Sequence, residues 1–202
     1  MIKLYVALQM LQTRRDEEGA SAVEYGLLVA AIAAVIVTLV FALGGMIDTW
    51  PKAPGQVLAR MHVLAASDRV DNADLGRPAP HAGPRLSGLF SLATGTTAAP
   101  AVIVAALVHG EIAALAPFGV ADGLVARAAG RLTGITRGLD PKAVSAPEVG
   151  FAELGAAAYS EALAGYASGE PAGVARWLVH CCQATEHGAL EGLAICESLL
   201  RG

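Results

Sequence analysis

Three groups of residues along this 202-residue chain carry side chains that could do chemistry. Near the C-terminus, His180, Cys181, Cys182, Glu186, His187 and Cys196 supply imidazole, thiol and carboxylate, the ligand types that hold zinc. Their spacing is wrong for it. Cys182 and Glu186 share a helical face, but His180 and His187 are two turns apart and adjacent cysteines point about 100° from each other on a helix. No CxxC or HExxH pattern results, so no metal and no cofactor are expected, and the cysteines read as small apolar residues. In the middle of the chain, Ala116-Pro-Phe-Gly-Val-Ala-Asp-Gly-Leu-Val-Ala-Arg127 reads as a helix ending at Pro117, a loop of small residues, and a new helix starting near Leu124. Such a junction can offer backbone N–H groups and a helix N-terminus to an anion, or can be an ordinary turn. Towards the N-terminus, Glu24 and Tyr25 stand at the mouth of a long apolar run. An acid inside a membrane helix costs up to about 2.5–3.5 kcal/mol at mid-span, so Glu24 needs either a positive partner or a position at headgroup level.

The elements that position these residues differ in the two halves of the chain. From Gly26 to Ile47 there are 22 residues without a charge. As a helix they cover roughly 33 Å, enough for a hydrocarbon core of about 30 Å. The sequence therefore predicts an all-α protein with one N-terminal transmembrane helix followed by a small helical domain. Beyond Trp50 a helix is expected over Val57 to Ala66, and the Pro- and Gly-rich residues Asp71 to Pro100 read as loop, so residues 51–100 form a partly helical connection. Apolar residues then recur at helical spacing over Ala101 to Leu115, Leu124 to Arg137, Ala146 to Tyr166 and Pro171 to Leu200, within a helical domain of residues 101–202. With 54% hydrophobic and 16% charged residues and a net charge of -4, the chain is neither disordered nor a basic binder of nucleic acid.

The N-terminal segment is a poor secretory signal peptide, because its apolar run is about twice the usual 7–15 residues and is preceded by Asp16, Glu17 and Glu18. It resembles the Flp-type (type IVb) prepilins from about Arg14 to Trp50. A charged leader of residues 1–19 ends at Gly19, and the helix of residues 20–50 opens Ala20-Ser-Ala-Val-Glu24-Tyr25. The resemblance implies cleavage after Gly19 by a prepilin peptidase. The new α-amino group of Ala20, with a pKa near 7.7–8.0, would then pair with a neighbouring subunit's Glu24. Its implied partners are the membrane, the peptidase and other pilin subunits. Gly26, Ala30 and Ala34 lie in a row of small residues at every fourth position, which would let a second helix approach closely. Arg14 and Arg15 before the span are matched by Lys52 and Arg60 after it, so only the resemblance implies a cytoplasmic N-terminus. It implies residence in the inner membrane, with assembly into an extracellular pilus.

The second half resembles the Fic/DOC family, helical enzymes that transfer AMP from ATP to a hydroxyl and carry the signature HPFx(D/E)(G/A)NGRxxR. Pro117, Phe118, Ala121, Gly123 and Arg127 fit that signature. The residues implied to carry the chemistry do not fit. Ala116 stands at the position of the base, Val120 at that of the metal-binding acid, Asp122 at that of the phosphate-binding Asn, and Leu124 at that of the first Arg. His109 lies about two helical turns before Ala116 and so cannot take its place. The resemblance thus implies a degenerate domain with no catalytic residues, in which Phe118 anchors the core, Gly123 admits the tight helix entry and Arg127 serves as a structural partner. The expected function is that of a minor or accessory pilin-like subunit bearing this inactive domain. A membrane-tethered nucleotidyltransferase and an artificial joining of two reading frames are the alternatives.

Overall fold

In the computed structural model of the protein, residues 45–201 are described. The leader, Gly19, Ala20, Glu24, Tyr25, Gly26, Ala30, Ala34 and the apolar run up to residue 44 lie outside the described residues. Residues 46–202 form one compact unit, and every regular element among the described residues is helical. The helices are α1 (Pro54–Ala66), a 3-10 turn (Pro80–Ala82), α2 (Gly83–Thr94), α3 (Ala101–Leu115), α4 (Asp122–Thr136), α5 (Pro147–Leu154), α6 (Ala156–Ala167) and α7 (Pro171–Arg201). No helix among the described residues is long and apolar enough to cross a membrane.

Proline punctuates this order. It occupies the first turn of α1, α2 and α5, where its missing N–H is no loss and its fixed φ suits the helix. Helix α3, with the sequence AVIVAALVHGEIAAL, is apolar on nearly all sides and accordingly lies at the centre, packed against α2, α4, α6 and α7. One core lies between α1, α2, α3 and α4, built from Leu58, Met61, Leu89, Val108, Ile112 and Val125. A second, on the other side of α3, gathers Ala106, Ala162, Trp177 and Cys181, with Phe151, Tyr159 and Tyr166 against them. Arg85 of α2 ties the two sides together by donating to both oxygens of Glu111 in α3, at 2.6 and 2.9 Å. Tyr166 Oη of α6 donates to the same carboxylate at 3.0 Å.

Three expectations need correction. Residues 71–100 are not a loop throughout: α2 occupies Gly83–Thr94, because Leu86, Leu89 and Ala93 recur at helical spacing and bury against α1 and α3. Pro84 marks that helix's start and does not break it. The single helix expected over Ala146 to Tyr166 is two, separated at Gly155, whose φ of +91° only glycine adopts without strain. Finally, the transmembrane reading ran to Trp50, yet residues 45–49 form a helical turn whose Met46, together with Trp50, is buried in the core of the compact unit. Counting uncharged residues does not separate a lipid-facing stretch from one that enters a protein core.

Candidate functional site

The junction of α3 and α4 brings Ala116, Pro117, Phe118, Asp122 and Gly123 together, with Arg127 further along α4. Helix α3 ends where Ala116 turns left-handed, at φ 46°, and α4 begins after Ala121, at φ 59°. Gly119, at φ +75°, provides the remaining reversal. Left-handed alanines cost roughly 1–2 kcal/mol each, so the surroundings must hold this loop in shape. They do so from both sides. The Ala79 N–H donates to the Pro117 carbonyl at 2.8 Å, and Pro117 is fully buried. The Phe118 ring stacks flat on the imidazole of His62, with centroids 4.2 Å apart and planes 5° from parallel. His62 is itself buried in α1 and accepts the Gly76 N–H at Nδ1, 2.9 Å away.

Asp122 decides what this loop can bind. Its carboxylate, 8% exposed, turns back into the loop and accepts the Phe118 N–H at 2.9 Å. Burial pushes its pKa up, while the amides of Phe118, Gly119 and Asp122 itself and the nearby His62 pull it down. The amides that could face an incoming anion are therefore turned on a carboxylate the chain supplies. A phosphate would have to displace that carboxylate and would meet its charge. Leu124 on the next turn is half exposed and adds no cation.

Arg127 points elsewhere. It lines a small cavity of about 60 Å³ together with His109, Arg131, Asp140, Phe151 and Cys181. His109 and Phe151 in the wall of this cavity belong to an aromatic cluster that sequence reasoning missed. His109, 4% exposed, lies within hydrogen-bond distance of Tyr159 Oη, 2.9 Å from Nε2, and its ring meets Phe151 and Trp177 edge-on at 5.2 and 5.0 Å. Trp177 is wholly buried and donates from Nε1 to the Ala106 carbonyl at 2.8 Å. Gly110 makes room for it, since a Cβ there would collide with the indole nitrogen. Burial first, then the charges of Arg127 and His180, push the His109 pKa down to about 3. Burial also lowers that of His180 and raises that of Tyr159. Three of these five rings sit on α6 and α7 at spacings that look like plain core, and only the pairing of His109 with Trp177 across 68 residues of sequence distinguishes them.

The C-terminal histidines and cysteines are dispersed. His180 and Cys181 face the core, His187 Nδ1 lies 2.7 Å from Glu153 Oε2, and Cys196 is exposed. Among the described residues no three His, Cys, Asp or Glu side chains are grouped so as to hold a metal ion. Burial raises the thiol pKa of Cys181 well above the ordinary range and that of Cys182 also, so neither is an activated nucleophile.

No curated protein and no solved structure matches the chain. Residues 13–50, which include Gly19, Glu24 and Tyr25 and end on the buried Trp50, match the family described as the Flp/Fap pilin component.

Proposed function

We propose that the protein is a type IVb pilin-like membrane subunit, minor or accessory in the assembly, that carries a catalytically inactive Fic-like helical domain. The observation that carries this reading is the pilin match over residues 13–50 taken with the burial of Trp50 at 1% exposure. The last residue of the pilin-like segment is a core residue of the helical domain, as expected if both parts work as one polypeptide and not as two accidentally joined frames. A peptidase cut between Gly19 and Ala20 frees an amine for Glu24 of a neighbouring subunit. Co-expression with a prepilin peptidase should yield a mature N-terminus at Ala20 by N-terminal sequencing, and Gly19→Val should retain the leader. Identical processing of the two proteins would refute the assignment.

The inactive status of the domain rests on the same loop. AMP transfer needs a base, a metal anchor and phosphate ligands, and a base alone contributes about 10²–10⁴-fold. Here Ala116 supplies no base, and the carboxylate of Asp122 is turned on the loop's amides. Incubation of the full chain with labelled ATP and Mg²⁺ should transfer no label to itself or to added proteins. Label transfer would establish a membrane-tethered nucleotidyltransferase instead.

A further inference from the structure

Helix α7 has two apolar faces, and the compact unit uses one of them. Trp177, His180, Cys181, Ala184 and Gly188 are buried against the other helices. On the other side of the same helix, residues recur at alternating steps of four and three over four heptads. Val179, Glu186, Leu193 and Leu200 form one row, and Ala175, Cys182, Ala189 and Cys196 form the other. All of these are exposed except the half-buried Cys182, with Val179 at 56%, Leu193 at 55% and Leu200 at 87%. A 3.5-residue repeat in which only Glu186 is polar is the seam of a two-helix coiled coil, and among the described residues nothing covers it.

We propose that this face of α7 pairs with the same face of α7 in a second copy of the chain, antiparallel. Side-chain size and charge select both the partner and its direction. A parallel pair would stack Glu186 on its own copy in the middle of the seam and leave Ala175 and Ala189 facing themselves. In the antiparallel register that sets Glu186 opposite Ala189, the other layers become Leu193 with Cys182, Leu200 with Ala175, and Val179 with Cys196. Each layer joins a larger side chain to a smaller one, which lets the layers interdigitate. The flanks match in charge too. Arg176 of one copy comes beside Glu197 of the other at each end of the pair, and both residues are exposed. This contact involves residues of α7 alone, so it adds a point of association between copies that does not depend on the pilin-like segment.

A short thiol cross-linker applied to the full chain in mild detergent tests the pairing, in a Cys182→Ser background that leaves Cys196 as the exposed thiol. Two Cys196 thiols in the antiparallel register stand about 25 Å apart along the axis, out of reach of each other. The Val179→Cys variant should therefore form a covalent dimer that disappears when Cys196→Ser is added, and Cys196 alone should form none. Arg176→Glu should weaken the association about tenfold, and adding Glu197→Arg should restore it. Circular dichroism should show every variant folded, because the altered residues are exposed or half-buried. Failure of the folded Val179→Cys variant to cross-link, equal cross-linking through Cys196 alone, or no rescue by the charge exchange would each overturn the proposal.

Discussion

Replacing Trp50 by Ala should destabilise the helical unit by about 3–5 kcal/mol, although Trp50 lies inside the pilin-like segment and four residues before α1 begins. The indole is 1% exposed and belongs to the core shared by α1, α2, α3 and α4. Truncation removes one of the largest buried side chains and leaves a cavity that the neighbouring helices can only partly close. Trp50→Phe should cost far less than Trp177→Phe, and the reason is polar. The Trp50 N–H finds no acceptor among the described residues, so losing it removes a buried unpaired donor. The Trp177 N–H is bonded to the Ala106 carbonyl, which keeps its own helical partner, so the loss forfeits one buried hydrogen bond at about 0.5–1.5 kcal/mol. Denaturant unfolding followed by far-ultraviolet circular dichroism measures all three variants. A Trp50→Ala protein as stable as the parent would mean that the unit begins after residue 50, and the argument for one continuous polypeptide would lose its support.

The sequence made α3 and α7 legible because each pattern is long and uninterrupted, and their observed bounds, Ala101–Leu115 and Pro171–Arg201, sit on or beside the expected ones. It hid α2 because Pro84, Gly83 and Gly88 read as loop-forming when counted by composition. In the structure Pro84 occupies the first turn and three apolar residues bury one face. The distinction depends on tertiary contact with α1 and α3, which a local reading does not see. The helix junction at Ala116–Asp122 was legible as a junction from Pro117 and its small residues. The inward turn of the Asp122 carboxylate onto the Phe118 amide was not, since it depends on Ala121 adopting a left-handed conformation that alanine rarely takes. Likewise the position of His109 along α3 relates it only to Ala116, two turns on. Its real neighbours, Tyr159 and Trp177, come from α6 and α7, and no spacing within α3 announces them.

Those neighbours make the stability of the unit depend on pH well above the carboxylate range. In the unfolded chain a histidine binds its proton near pH 6.5, whereas burial and the charges of Arg127 and His180 hold folded His109 neutral down to a pKa of about 3. Between these values the unfolded state carries the extra proton. Stability is therefore fully present above pH 6.5 and is lost as the pH falls. His180, also lowered by burial, acts in the same direction. The limiting slope is about 1.4 kcal/mol per pH unit for each histidine, so acidification from pH 6.5 to 4.5 should remove about 2–3 kcal/mol through His109 alone. Asp140, whose carboxyl is held low by Ser145 and the Val144 and Ser145 amides against its burial, adds a further loss only at more acid pH, below the ordinary carboxylate range. Urea unfolding at half-unit steps from pH 7 to 4.5 would resolve the slope. His109→Gln should lower it while Tyr159 and Trp177 keep their places, and an unchanged slope in that variant would show that His109 is not the titrating group.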